Sequence, residues 1–167
     1  MEKSEMNIVA RFMAQAPVNL EEIFAELGIT FEKLFMDDAS GSITRNGDKF
    51  IVTVNALESE TRQRFTAAHE LAHYLLHRDL MGDGKRMHRH IDTLYGGGEQ
   101  SGDVIFKRSH EIEANRIAAQ IVMPKALLTK KYAATPNAAL LASDFGVSKA
   151  AMEIRLKALG LTSEFAD

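Results

Sequence analysis

The chain has 167 residues, 46% of them hydrophobic and 26% charged, with a net charge of −3 and a pI near 6.1. That length suits one domain with a real core, and the mild acidity gives no electrostatic footprint for nucleic-acid binding by the chain as a whole. Cysteine is absent, which excludes disulfides and thiolate ligands, so any metal must be held by His, Asp or Glu.

The opening Met1-Glu2-Lys3-Ser4-Glu5 is acidic and leads into no long apolar run, so no signal peptide is expected. No segment reaches the length of a membrane span, and the expected location is cytoplasmic. Ile8 to Met13 has a helical pattern that Ala16-Pro17 interrupts. Asn19, with Glu22 three residues on, has capping-box spacing and predicts a second helix that stops at Gly28. Ile29 to Asp37 reads as extended. Asn46-Gly47 separates two β-rich runs, Ser42 to Arg45 and Phe50 to Val54, and predicts a hairpin. A helix then begins between Asn55 and Ser59 and ends near His77.

From Arg78 to about Lys107 the chain is rich in Gly, holds His88 and His90 and shows little periodicity. It predicts a long loop with a short strand at Val104-Ile105-Phe106. A second strong helix covers Ser109 to Val122 and stops at Met123-Pro124. A short helix after Pro124 and two more, Asn137 to Gly146 and Ser148 to Gly160, complete the pattern. Residues 1–167 read as a single domain, with 133–167 its helical C-terminal subregion.

The chemistry concentrates in Arg64-Phe65-Thr66-Ala67-Ala68-His69-Glu70-Leu71-Ala72-His73, a His-Glu-x-x-His pattern within a run of helix formers. Positions i and i+4 share one helix face, so His69 and His73 can grip one metal ion while Glu70 reaches a water on it. Phe65, Ala68, Ala72 and Leu76 share the apolar stripe with the two imidazoles, which therefore point toward the core. A catalytic zinc takes three protein ligands. His77 extends the i, i+4 series but lies about 12 Å of helix rise beyond His69, too far to share an ion, and is read as a supporting histidine. Leu76 and Asp79 stand where a metzincin carries Gly and His, which excludes that class. Projection of the second helix places Glu111, Ala114, Asn115 and Ala118 on its core-facing stripe, with Glu113 on a more polar side. Glu111 is therefore the expected third ligand, and Asn115, one turn later, a partner that orients a ligating histidine.

Two stretches resemble the ImmA/IrrE metallopeptidase family. One is Arg62-x-Arg64-Phe65-Thr66-x-Ala68-His69-Glu70-Leu71-x-His73-x-x-Leu76-His77. The other is Glu111-x-x-Ala114-Asn115-x-x-Ala118-Ala119-x-x-Val122-Met123-Pro124. The hairpin before Asn55 and the early Leu20-x-x-Ile23 helix are similar too, and the resemblance spans roughly residues 17 to 160. It implies an α+β, zincin-like fold: a small, twisted, mostly antiparallel sheet packed on the His-Glu-x-x-His helix, with a helical C-terminal part. It also implies zinc on His69, His73 and Glu111, with Glu70 as general base. The chain departs from the family at Ala72, where Gly is common, and in the long Gly/His-rich segment between the motifs. Known members are cytoplasmic proteins that cleave a partner helix-turn-helix repressor, so the resemblance implies a protein substrate of that kind or an antitoxin.

Zincins pair extended substrate with an edge strand, and the strand Phe50, Ile51, Val52, Thr53, Val54 is expected to serve in that way. Tyr95, His88, His90, His110 and Tyr132 are the candidates for stabilising an oxyanion. Leu140 to Lys149 with the following helix has helix-turn-helix grammar, and Lys149, Arg155 and Lys157 make a thin positive set offset by Glu153. This pair is expected to pack on the catalytic core, and direct nucleic-acid binding is not expected. A zinc protein that acts by binding its partner or DNA without proteolysis is the competing reading.

Overall fold

Asn19, Ser59, Asn137 and Ser148 each accept a hydrogen bond from the backbone N–H three residues on, and each starts a helix. The computed structural model describes residues 2–84, 86–89, 100–101 and 106–161. Its helices are α1 (Lys3–Phe12), α2 (Leu20–Glu26), α3 (Glu60–His77), α4 (Arg108–Val122), α5 (Lys125–Ala134), α6 (Ala138–Phe145) and α7 (Lys149–Ala158). Its strands are β1 (Thr30–Leu34), β2 (Gly41–Asn46), β3 (Lys49–Asn55), β4 (Arg86–Arg89) and β5 (Gln100–Ser101), in the spatial order β1-β3-β2-β4-β5. Only β1 and β3 run parallel, so the sheet is mixed and mostly antiparallel. The α+β, zincin-like arrangement implied by the sequence is therefore present. No described helix is long and apolar enough to cross a membrane.

Three expectations change. Asn46 pairs with Lys49, so the hairpin loop is Gly47-Asp48, one residue later than the Asn46-Gly47 dipeptide suggests. Gly47 has φ of 64°, and among the described residues no non-glycine has positive φ, the pattern of a turn that needs glycine at its first central position. Within the expected loop, β4 pairs with β2 (Gly41↔Arg89 through Thr44↔Arg86) and β5 with β4. That pairing depends on β2's edge, which a propensity reading of residues 78–107 cannot see. The predicted strand residues Val104 and Ile105 lie outside the described residues.

The third change concerns Phe50, Ile51, Val52, Thr53 and Val54. They belong to β3, which has β2 on one side (Arg45↔Phe50 through Gly41↔Val54) and β1 on the other (Thr30↔Ile51 through Lys33↔Val54). Both rows of backbone groups face neighbouring strands, so β3 has no edge for a substrate to join. The adjacency of β3 to α3 in sequence does not make it an edge, because β1 returns to flank it.

The sheet positions α3, which packs across β2 and β3 on one side and along α4 on another. Gly41 sets the distance of that packing. A Cβ there would lie 2.4 Å from Thr66 Cγ2 and 3.0 Å from the Thr53 carbonyl oxygen, with Glu70 Oε1 at 3.7 Å. Two further ties hold α3. Arg64 Nη2 donates to the Val18 carbonyl at 2.8 Å, and its guanidinium lies against Gly146 at the α6–α7 turn, where a Cβ would meet Nε at 2.8 Å. At the far end, Tyr74 Oη and Arg78 Nη1 both donate to the Glu5 carboxylate of α1. Burial by itself raises the Glu5 pKa, but the bonds from Arg78, the Glu2 N–H and Tyr74 outweigh it and hold the carboxyl below its usual range.

The helix-turn-helix-like pair packs on this body. Leu141, Phe145, Met152 and Leu156 join one apolar core that begins at Val9, and Arg155 is buried with Nε donating to the Met123 carbonyl at 3.1 Å. Lys149 pairs with Glu153. Of the three cations on the candidate recognition helix, Arg155 is thus spent on internal structure. For Gly41→Ala, urea unfolding should show a loss of about 1–3 kcal/mol, the usual cost of forcing atoms into a filled core. Unchanged stability would show that β2 and α3 can part without penalty.

Candidate metal centre

His69 and His73 lie one turn apart on the core face of α3, and Glu111 lies in the first turn of α4. The packing of α4 against α3 brings their ligand atoms together, all within 4.8 Å of one another. His69 Nε2 is 3.0 Å from His73 Nε2 and 2.9 Å from Glu111 Oε2, and His73 Nε2 is 3.2 Å from Glu111 Oε1. A tetrahedral zinc with bonds near 2.0–2.1 Å holds its ligand atoms about 3.3 Å apart, so the triangle has the right size. All three residues are buried, none more than 3% exposed.

The chemistry of the donors also fits. Asn115 Oδ1 lies 2.7 Å from His69 Nδ1 and accepts a hydrogen bond from it, which makes Nε2 the nitrogen that faces the Glu111 carboxylate with its lone pair available to a metal. Two acceptors that face each other in a buried site require a proton or a cation between them. Three converging lone-pair donors (two imidazoles and a carboxylate) suit a divalent cation.

Glu70, the residue after His69, is fully buried and stays outside this triangle. Its carboxylate lies on the side of α3 that faces the start of β2, where Oε1 approaches the Cβ position of Gly41. His77 is also outside, as the helix rise requires. Its Nδ1 lies 3.0 Å from His73 Nδ1, and its Nε2 lies 3.0 Å from Glu113 Oε1. Burial pushes the His77 pKa down, and this outweighs the upward pull of Glu113.

Two contacts escape a reading of the sequence. Glu113, on the more polar side of α4 by projection, turns back to His77. Phe106 stacks on the His73 ring, with centroids 4.2 Å apart and planes 5° from parallel. The spacing Glu111-x-Glu113 set against His73-x-x-x-His77 is the signal that could have revealed the first, given antiparallel helices. Nothing in the Gly-rich segment marks Phe106.

Among the expected oxyanion residues, His110 lies beside His77, with its Nδ1 accepting the Lys107 N–H at 3.0 Å. Tyr132 packs against the core, and His88 stands on β4. His90 and Tyr95 lie outside the described residues. The expected strand Phe50 to Val54 supplies the layer beneath α3, not an open edge.

A mostly antiparallel sheet on a His-Glu-x-x-His helix, with a glutamate from the next helix closing the triangle, defines a zincin-like protein with a buried metal-binding group. The family follows from the sequence: the chain belongs to Peptidase_M78, the IrrE N-terminal-like domain, whose model matches residues 25–157. No curated protein matches the chain. Among solved structures, a Mycobacterium tuberculosis transcriptional regulator is similar in fold, with a TM-score of 0.57 and 18% identity. The likeness covers 94% of this chain and 47% of that one, so the chain spans about half the length of the regulator.

Replacement of Glu111 by Ala should abolish tight zinc binding in a chelator-competition titration. Asn115→Leu should weaken it about 10–100-fold, the usual effect of losing a partner that orients a ligand. Equal affinity in Asn115→Leu and wild type would show that His69 does not depend on that bond.

Proposed function

We propose that the protein is a zinc-dependent endopeptidase that cleaves one particular protein partner, a helix-turn-helix repressor or antitoxin. The observation that carries the hydrolase reading is the buried convergence of His69, His73 and Glu111, with the Glu70 carboxylate one residue from the first ligand. His69, His73 and Glu111 would hold zinc at a site charge of about +1, and the bound ion would supply Lewis acidity toward a scissile carbonyl and a water. Glu70 is the base: its carboxylate takes the proton of the attacking water and returns it to the departing amine. Asn115 holds His69, and His73 is held from its other face by the Phe106 ring.

The choice of a repressor or antitoxin as substrate rests on the likeness to ImmA/IrrE peptidases, and a cytoplasmic site of action belongs to the same reading. The name of the similar structure, a transcriptional regulator, favours a second reading in which a zinc protein regulates by binding its partner or DNA without cutting. Internal use of Arg155 on the candidate recognition helix weighs against direct DNA contact.

One substitution separates the readings. Glu70→Gln should keep zinc affinity while lowering cleavage of the partner repressor by at least about 100-fold, as expected when a general base is removed. Full biological output from a zinc-bound Glu70→Gln protein would sink the peptidase proposal and leave the binding role standing.

A further inference from the structure

Hydrogen bonding at the centre continues one helix turn beyond the ligands. Glu113 Oε1 lies 3.0 Å from His77 Nε2, and a carboxylate can only accept, so His77 Nε2 carries the proton of that bond. On the zinc reading His73 Nε2 keeps its lone pair for the metal, aimed at His69 Nε2 and Glu111, so the ring proton of His73 lies on Nδ1. His77 Nδ1, 3.0 Å away, must then accept, which leaves Nε2 to carry the His77 proton toward Glu113. Phe106, stacked flat on the His73 ring, restricts rotation away from this alignment.

Resting on the zinc reading above, we propose that Glu113 and His77 are positioning residues that set the tautomer of His73, the task Asn115 performs for His69. The two ligating histidines are thus oriented by different devices. Asn115 acts directly on His69 from α4, whereas Glu113 acts on His73 through an intervening imidazole. Without Glu113, His77 is free to hold its proton on Nδ1. His73 must then accept at Nδ1 and keep its own proton on Nε2, pointing into the site. That tautomer has to be reversed before Nε2 can ligate. The Glu113 side chain is 44% exposed, so water replaces part of its effect and the loss is expected at the low end of the range for such partners.

The test reads the hydrogen bonds themselves. In protein labelled with nitrogen-15 at histidine, in metal-free and zinc-loaded forms, a nitrogen–nitrogen coupling should connect His73 Nδ1 and His77 Nδ1. His77 should be protonated at Nε2. Glu113→Leu should remove the coupling or split His77 between tautomers, and weaken zinc binding about tenfold in chelator competition. Glu113→Gln, whose amide oxygen can still accept from His77, should restore both. No coupling in the wild type, or Glu113→Leu protein with coupling and zinc affinity intact, overturns the proposal. A wild type that shows the coupling but binds no zinc keeps the tautomer assignment and sinks the zinc reading, so the two failures are told apart.

Discussion

The whole centre depends on how α4 lies against α3. Glu111 and His69 are 42 residues apart in sequence, and their 2.9 Å approach exists only because the small faces of two helices meet. Ala114 and Ala118 on α4, and Ala68 and Ala72 on α3, are fully buried, small residues of the kind that helix packing favours. The same packing aligns two hydrogen-bond partners from α4, Asn115 behind His69 and Glu113 behind His77, in step with the histidines on α3.

Around that contact, α3 is held at several points. Arg64 ties its first half to Val18 and to the glycine turn between α6 and α7, and Glu5 ties its last turn to α1 through Tyr74 and Arg78. Gly41 lets β2 lie against its middle, beside Thr66 and Glu70. These ties give the signature residues separate physical roles. Arg64 serves architecture, whereas the histidines serve the centre. A catalytic constellation needs such support, since displacement by an ångström is enough to spoil ligand geometry. The C-terminal helices belong to this support, because Arg155 and the apolar residues of α6 and α7 are buried in the body that carries the centre.

Membership of the M78 family and the zincin-like fold are properties of the chain. The similar regulator is about twice as long, and its name describes that whole protein. The hydrolytic proposal rests on the buried donors of this chain. They form a cluster whose lone pairs call for a cation, with a buried carboxylate next to the first ligand.

The sequence by itself determined most of what is local, though not the exact residues of the hairpin turn. The caps at Asn19, Ser59, Asn137 and Ser148, the stops at Gly28 and Gly146, and the i, i+4 facing of His69 and His73 follow from short-range hydrogen bonding and helix geometry. Projection of one helix was enough to favour Glu111 over Glu113 as the third member of the triangle and to remove His77. Only the tertiary structure decided what depends on neighbours. Strand order turned Phe50 to Val54 from an expected edge into a central strand, and β2 recruited Arg86 to Arg89 from what reads as a loop. Docking of α4 on α3 sent Glu113, which a projection assigns to the polar side, back to His77. The physical reason is common to all three. Helix caps and facing positions are set by residues within about one turn, whereas strand neighbours and interhelical contacts are chosen by packing of distant segments, which local periodicity does not encode.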